Sequence, residues 1–358
     1  MASRTGESVD VYERIGRVLE DRQEPGAAEV CDLVRRILDG VAASAPLDLE
    51  RLKTGVYRLR IGDGPVRSLV LKCLKPALAQ TDRLVVERWL PALGLADRSP
   101  RILAAGAQRD GCWVWHAYED VGDDTLRRRH DPEHLDAAIS LIAALHTRAA
   151  AHPLMPEIRW RARDYGAHYF TSNLRDAIGA MEALGSVTGP LSAEFDRARA
   201  RVLENLCRLR EDAPRRVQVL EAIGVPETLL HGDLWPKNVF VAGNGHGLHA
   251  QLIDWDHVGA GPFTYDLSTF LYRATPDERP WIVQRYREAV ERAGWRFPPL
   301  DELNLLLHAA ETARQAHCIL FVAIALQHDA AEWAPQELIY WDRYLSALRP
   351  PLDERGRI

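Results

Sequence analysis

The arrangement of apolar and polar positions changes character along the chain. In the first 40 residues apolar side chains recur at helical spacing, as at Val11, Ile15 and Val18. From Leu47 to Lys75 the pattern is typical of strands, and Gly62–Pro65 offers a turn between two of them. The pattern therefore predicts two leading helices followed by a small antiparallel sheet.

Helices dominate the chain after Gly122. Leu135, Ile139 and Ile142 share one helical face, and further helical patterns continue to the C-terminal end of the sequence. Together with the strand-like first part, this predicts an α+β fold with a small sheet-containing lobe and a larger, mostly helical lobe. The predicted divisions are an N-terminal lobe at residues 1–117, a hinge at 118–122 and a C-terminal lobe at 123–358.

Composition narrows the classes of function. The formal net charge of -6 disfavours a protein whose main partner is a nucleic acid. The five cysteines are scattered and form no Cys-x-x-Cys pair, as expected for reduced thiols in the cytoplasm. The longest apolar run, Cys318–Leu326, is too short to span a bilayer, and Met1–Glu20 lacks the apolar core of a signal peptide. We therefore expect a cytoplasmic protein with no nucleic-acid or membrane partner.

The strongest chemical signal lies in two short segments, His231–Asn238 and Ile253–Asp256. Asp233 and Asn238 are five residues apart on one predicted loop, and Asp254 follows an apolar pair at a predicted strand end. Phosphoryl transfer needs one carboxylate beside the attacking hydroxyl. It also needs an amide and a second carboxylate to hold magnesium against the nucleotide phosphates. The residue types and their order fit those roles.

The order His-Gly-Asp-x-x-x-x-Asn followed by Ile-Asp-Trp-Asp resembles the aminoglycoside phosphotransferase and choline kinase family, distant relatives of protein kinases. The resemblance implies a two-lobed protein-kinase-like fold and a kinase that uses ATP or GTP with Mg²⁺. It also implies that Asp233 is the catalytic base and that Asn238 and Asp254 bind the metal. Asp256 would assist Asp254 or replace it, and His231 would brace the loop through hydrogen bonds.

On the nucleotide side, Lys72 ends a predicted strand and resembles the strand lysine that contacts the α- and β-phosphates. Lys75 is its competitor. The expected partner of this lysine is a carboxylate on the next helix, predicted from about Asp82 to Leu93. Glu87 is our preferred partner and Asp82 the alternative, while a surface ion pair is the ordinary explanation for either carboxylate.

Two further segments complete the predicted nucleotide site. Lys53–Tyr57 contains one glycine where protein kinases have three, so Thr54 and Gly55 are expected phosphate contacts or part of an ordinary hairpin turn. Tyr118–Gly122 resembles the hinge that binds adenine through its backbone, which places Glu119 and Val121 at the nucleotide.

Two polar residues, His146 and Asp266, are predicted to have structural roles. His146 lies on the apolar stripe of its helix, which is typical of a core histidine with satisfied hydrogen bonds. Asp266 is placed to cap the helix that follows it, and the family resemblance implies a structural brace there.

Two other functions compete with the kinase interpretation. A metal hydrolase would need more histidine ligands than His231 provides, and no His-x-x-x-His pattern lies nearby. A catalytically silent, kinase-shaped binding protein is expected to lack Lys72, Asp233, Asn238 or Asp254, and all four are present. The sequence therefore favours a kinase for a small hydroxylated molecule, such as an aminoglycoside, amino alcohol, sugar or related natural product. It predicts no oligomeric state.

Overall fold

A computed structural model of the chain describes residues 11–38, 47–62, 68–186, 192–243, 245, 247–347 and 352. The chain divides into two compact units. One contains the residues up to His130 together with Lys237–Asp256, and the other contains Asp131–Pro236 and the residues from His257 onwards. The chain therefore passes from one unit to the other three times, where the sequence predicts a single division at 118–122.

The secondary-structure elements of the described residues are numbered in chain order. The strands are β1 (Leu47–Lys53), β2 (Val56–Ile61), β3 (Ser68–Leu74), β4 (Ile102–Ala107), β5 (Val114–Glu119), β6 (Arg163–Asp164), β7 (Glu227–Leu230), β8 (Val239–Gly243), β9 (Leu248–Leu252) and β10 (Gly259–Pro262). The helices are α1 (Val11–Asp21), α2 (Ala27–Ile37), α3 (Pro76–Leu84), α4 (Leu90–Ala92), α5 (Pro132–Ala150), α6 (Met155–Arg161), α7 (Ala167–Ala183), α8 (Ala193–Ile223), α9 (Thr264–Leu271), α10 (Glu278–Arg292), α11 (Leu300–Asp329) and α12 (Ala334–Ser346).

The first unit is built on a five-stranded antiparallel sheet with the order β1-β2-β3-β5-β4. Strand β3 pairs with β2 on one side and β5 on the other, so Lys72 lies opposite Val56 and His116. The predicted hairpin of β2 and β3 is therefore present, while residues 63–67 of its turn lie outside the described residues. The two predicted leading helices, α1 and α2, pack their apolar faces against this sheet, where Ile15 and Leu33 join a core with Trp115.

The helix after β3 begins earlier than the sequence predicts. Pro76 occupies its first turn, where a missing N–H costs nothing, so the helix starts there instead of near Asp82. Beyond Leu84 the helix widens into a π-helical stretch, Val85–Trp89, before the short helix α4.

A second, two-stranded sheet of β8 and β9 belongs to the first unit. The segment after β5 holds it there, because Leu126 N donates to Val239 O and Val241 N donates to Asp124 O. At the far end of the hairpin the buried Trp255 donates from Nε1 to Ser99 Oγ at 3.2 Å. These contacts fix Asn238 and Asp254, which flank the hairpin, within the first unit.

The second unit is mostly helical. An apolar core lies among α7, α8, α11 and α12, where Leu174, Phe195, Ile319 and Leu338 are fully or almost fully buried. A three-stranded sheet with the order β6-β10-β7 carries the loop that follows Leu230. None of the helices in the described ranges is long and apolar enough to cross a membrane.

Candidate active site

The loop that carries Asp233 is shaped by Gly232 in the second unit. Gly232 has a φ of 79°, in the left-handed region that glycine adopts without strain. A Cβ atom at this position would lie 1.9 Å from His257 O and 2.7 Å from Tyr165 Oη. Both neighbours are themselves held, since Tyr165 Oη donates to His257 O at 2.7 Å. Only glycine therefore fits immediately before Asp233.

A buried carboxylate binds the backbone of this loop. Asp266 Oδ2 accepts from His231 N at 2.7 Å, and Asp266 Oδ1 accepts from Gly232 N at 2.9 Å. His146 Nε2 lies 3.2 Å from Asp266 Oδ2, and His146 Nδ1 lies 2.8 Å from Tyr286 Oη. Asp266 and His146 are completely buried, so this chain of hydrogen bonds is shielded from water. It fixes the main chain on the N-terminal side of Asp233.

The role predicted for Asp266 is wrong in one respect and that of His146 is right. Asp266 lies inside α9, whose N-cap is Phe263 with no side-chain cap hydrogen bond, so Asp266 does not cap the helix. Its carboxylate instead serves the neighbouring loop, which is the brace that the resemblance implies. His146 is the buried, hydrogen-bonded histidine that its helical stripe predicts.

The loop is also held at its centre. Asp233 N donates to His231 Nδ1 at 3.3 Å, which is the bracing role expected of His231. Trp235 N donates to Asp233 O at 2.8 Å and tightens the turn that follows. Asp233 is half-buried on a main chain that is bonded on both sides.

A separate cluster of charged residues lies in the first unit. Lys72 Nζ is 2.5 Å from Asp254 Oδ1 and 2.6 Å from Asp256 Oδ1. Lys53 Nζ is 3.0 Å from Asp254 Oδ2. Asp254 has a φ of 69°, an uncommon left-handed conformation for a residue with a side chain, and such strain concentrates at functional sites. Asn238 adjoins the cluster, because its carbonyl accepts from Ile253 N at 3.0 Å.

The charges in this cluster act on one another. Burial lowers the pKa of the Lys72 ammonium, but the charges of Asp254 and Asp256 outweigh burial and raise it. Burial raises the pKa of Asp254, whereas Lys72 and Lys53 lower it by more, so the net pKa is lowered. Burial and then the charge of Asp254 raise the pKa of Asp256 against the opposing effect of Lys72.

The donor set fits a magnesium ion. Asp254 and Asp256 supply two carboxylates that share Lys72, and carboxylate oxygens are the hard ligands that Mg²⁺ prefers. Mg²⁺ commonly binds through only one or two carboxylates and completes its shell with water and phosphate oxygens. Within the described ranges, no group of three or more His, Cys, Asp and Glu side chains is arranged for a metal.

Lys72 and Asp254 stand at the polar end of a pocket within the first unit. The pocket holds about 690 Å³ of empty space, counting its open mouth, and ligand pockets commonly span about 300 to 1,000 Å³. Its apolar walls come from Leu52, Val56, Val70 and Ile253, and the segment Tyr118–Gly122 forms one side. Glu119 and Val121, predicted at the adenine, therefore line the same pocket as Lys72. Lys75 does not line this pocket: it is exposed, and its Nζ lies 3.5 Å from the centroid of the Trp113 ring.

The predicted pair of Lys72 with Glu87 is wrong. Glu87 Oε2 binds Arg83 Nη2 at 2.9 Å, one turn earlier on the same helix, and both side chains are about half exposed. Asp82 does line the pocket, but it accepts from Tyr118 Oη at 2.7 Å and contacts His116. Lys72 instead takes its partners from the segment after β9.

The turn at Thr54 and Gly55 makes hydrogen bonds to side chains of the first unit. Gly55 N donates to Glu24 Oε1 at 3.1 Å, and Thr54 Oγ1 accepts from Arg51 Nη2 at 2.9 Å. Glu24 Oε1 also accepts from Tyr57 Oη at 2.8 Å, so the connection between α1 and α2 supports the turn. The sequence does not predict the role of Glu24, because no local pattern indicates a contact between residues that are 31 positions apart. Phosphate binding by this turn stays a prediction.

The sequence matches the phosphotransferase enzyme family over residues 52–303, a span that includes Lys72, Asp233, Asn238 and Asp254. The chain belongs to this family. It is a small-molecule kinase, as the resemblance implies. No curated protein sequence matches the chain.

Several solved structures of small-molecule phosphotransferases and kinases share the fold at low sequence identity. An aminoglycoside phosphotransferase from Streptomyces rimosus, in complex with ADP and streptomycin, is 20% identical with a TM-score of 0.51, over 80% of this chain and 97% of that one. Plasmodium vivax ethanolamine kinase is 12% identical with a TM-score of 0.60, over 96% of each chain. A phosphotransferase complex with GDP and kanamycin is 16% identical with a TM-score of 0.58, over 88% of this chain and 98% of that one. The predicted α+β, protein-kinase-like fold is confirmed.

Proposed function

We propose that this phosphotransferase moves the γ-phosphoryl group of ATP or GTP to a hydroxyl group of a small molecule and requires Mg²⁺. One observation carries the proposal: Lys72, Asp254 and Asp256 form a largely buried charged cluster at the polar end of an apolar pocket. An apolar slot for a base beside a cation for phosphates is what a nucleoside triphosphate needs. The ADP and GDP complexes of the similar structures support a nucleotide in this pocket.

In the proposed complex different pocket residues bind the base and the phosphates of the nucleotide. The apolar side chains around Val56 and Val70 cover the base, and the backbone of Tyr118–Gly122 offers it hydrogen bonds. Lys72, which here bridges two carboxylates, supplies positive charge to the phosphates. Lys53, bound to Asp254 from the other side, adds a second cation at the same end.

Asn238, Asp254 and Asp256 would hold Mg²⁺, which supplies charge neutralisation at the phosphates when it is bound. The strained backbone of Asp254 favours this role, because the ladder of β8 and β9 and the buried Trp255 enforce the conformation. A structural ion pair alone would not require the left-handed conformation.

We assign the general base to Asp233. Its carboxylate would orient the acceptor hydroxyl and take up the proton of that hydroxyl as the phosphoryl group is transferred. Asp266 and His231 hold the main chain around it, which lowers the cost of positioning the carboxylate.

The test is release of ADP or GDP from ATP or GTP over a panel of hydroxylated acceptors, with and without Mg²⁺. Asp233→Asn keeps the size of the side chain but cannot accept the proton, so turnover falls by roughly 10²-fold or more. Binding of a fluorescent nucleotide analogue should remain unchanged in this variant. Acceptor-dependent turnover near the wild-type rate in Asp233→Asn would refute the assignment of the base.

A further inference from the structure

A pair of aromatic rings with two arginines lies beside the Asp233 loop in the second unit. The Trp235 and Tyr272 ring centroids are 5.4 Å apart. The guanidinium carbon of Arg314 lies 5.4 Å from the Trp235 centroid and 4.5 Å from that of Tyr272. The guanidinium carbon of Arg273 lies 5.5 Å and 5.2 Å from the same two centroids. We call these four residues the arginine–aromatic cluster.

Arg314 is buried with much of its hydrogen-bonding capacity unused. The residue is 4% exposed, and its Nε and Nη1 atoms have no hydrogen-bond partner among the residues that the structure describes. Its Nη2 reaches Glu311 Oε1 only at 3.5 Å, and that oxygen also accepts from the Tyr344 hydroxyl. The aromatic rings offset part of the charge, but they do not replace oxygen acceptors for the N–H groups. A buried guanidinium in this state is suited to a ligand that brings acceptors.

The cluster adjoins the proposed base. Trp235 is two residues from Asp233, and its N–H donates to the carbonyl of Asp233 at 2.8 Å. Cys318, one turn beyond Arg314 on α11, is close enough to feel the charges of both Arg314 and Asp233. Burial raises the pKa of this thiol to about 11, with Arg314 lowering it and Glu337 and Asp233 raising it. Asp233, Arg314 and Glu337 thus all act on this thiol, while Glu311 lies beside Arg314 and the exposed Arg273 lies on the same two rings.

We propose that the acceptor of this kinase carries a carboxylate, that Arg314 binds this carboxylate, and that a flat apolar part of the acceptor lies against Trp235 and Tyr272. The inference rests on the phosphotransfer proposed above. It commits to a carboxylate because Glu311 already offsets part of the charge of Arg314, which favours a singly charged partner over a doubly charged one. A guanidinium matches the planar carboxylate in shape and charge. Arg273, exposed on the same rings, attracts the anion from solvent.

This inference separates the chain from a kinase for polycationic acceptors. An acceptor with several ammonium groups would meet two guanidinium groups at the rings next to the base, and like charges in such a place repel. Glu311 offers an ammonium group little compensating attraction, because its Oε1 already accepts from the Tyr344 hydroxyl and lies near Arg314.

The test compares acceptors that share one frame and differ in one group. We would use 4-(hydroxymethyl)benzoate, the corresponding primary amide and the corresponding benzylamine, together with a set of aliphatic hydroxy acids and their amides, and kanamycin as a polycation. Loss of one charge-assisted contact predicts a kcat/KM for the acid about 10- to 100-fold above that of its amide, mainly through KM. Arg314→Gln should bring the acid down to the level of the amide, and Arg314→Lys should recover part of the difference.

Arg343 provides the matched control, since it is exposed on α12 and pairs with Glu194 at 2.9 Å. Arg343→Gln removes the same charge and should leave the ratio of acid to amide unchanged. Should Arg314→Gln fold poorly, as thermal denaturation would reveal, the ratio in the wild-type enzyme still decides. An amide or amine used as well as the acid by the wild-type enzyme overturns the carboxylate inference and leaves the phosphotransferase proposal standing. Nucleotide binding without release of ADP or GDP for any acceptor overturns the phosphotransfer and this inference with it.

Discussion

Lys72 and Asp254 are joined by an ion pair of 2.5 Å that links the middle of the five-stranded sheet to the end of a hairpin 182 residues later. Neither residue is exposed enough for water to screen the pair fully, since the two side chains are 12% and 16% exposed. Breaking such a pair from one side leaves a buried charge without its partner. Replacing either residue alone is therefore expected to be costly.

Lys72→Met should lower kcat/KM for the nucleotide by roughly 10²-fold or more, because it removes the cation that contacts both Asp254 and Asp256 and leaves the two carboxylates to repel each other. Initial rates measured over a range of nucleotide concentrations provide the check. Lys75→Met is the matched control, as Lys75 is exposed on Trp113, and it should change kcat/KM less than about twofold. Equal losses in the two variants would contradict our choice of lysine.

Asp254→Asn should raise the Mg²⁺ concentration needed for half-maximal rate by about tenfold or more, since it removes one anionic ligand. The rate is titrated against total Mg²⁺ at a fixed nucleotide concentration. Asp48→Asn offers a comparison in the same unit, because Asp48 is an exposed carboxylate that pairs with Arg60 at 3.2 Å. If the metal curve of Asp254→Asn overlays the wild-type curve, Asp254 is not a ligand.

Gly232→Ala should destabilise the protein by about 2 kcal/mol or more, because the added Cβ would lie 1.9 Å from a backbone oxygen. Chemical denaturation monitored by tryptophan fluorescence measures the change. Gly179→Ala is the control, since Gly179 lies in α7 with nothing within 4 Å of an added Cβ, and helix propensity favours alanine there by about 1 kcal/mol. A Gly232→Ala protein as stable as wild type would show that the loop can move away from His257.

Local sequence signals are strong where one short segment determines the chemistry. The order and spacing of Asp233, Asn238 and Asp254 are enough to indicate phosphoryl transfer. The strand pattern around Lys72 predicts a lysine at the nucleotide, and Lys72 does line the pocket. The two lysines differ because Lys72 lies within β3 and is largely buried, whereas Lys75 falls just beyond the strand end and is exposed on Trp113.

Long-range contacts account for the features that local patterns do not predict. The return of Lys237–Asp256 to the first unit depends on pairing with residues 124–126, more than 100 positions earlier. Periodicity shows that a helix follows β3, yet it cannot show that Glu87 turns toward Arg83 on the outer face. Nothing in the sequence marks Arg314 either, because a charged residue in an apolar helix has a clear meaning only once its neighbours are known.

His308 on α11 should make the protein less stable as the pH falls below neutrality. Burial, followed by the charge of Arg216, lowers the pKa of His308 to about 4, and His308 Nδ1 lies 2.7 Å from Arg216 Nη1. Because the folded pKa lies below the usual value of 6.5, the unfolded chain takes up the proton first. Above about pH 6.5 this group leaves the free energy of unfolding unchanged, and between about pH 6.5 and pH 4 it lowers that free energy steadily.

His308→Gln should therefore flatten the pH dependence of unfolding in that window, because glutamine does not titrate. The free energy of unfolding is measured in urea at several values between about pH 8 and pH 5, for wild type and variant, and the slopes are compared. His168→Gln, at an exposed position of α7, controls for the loss of a histidine without loss of this contact. If the wild-type and His308→Gln slopes coincide, His308 must take up its proton equally well in the folded and unfolded states, and the contact with Arg216 cannot hold it neutral.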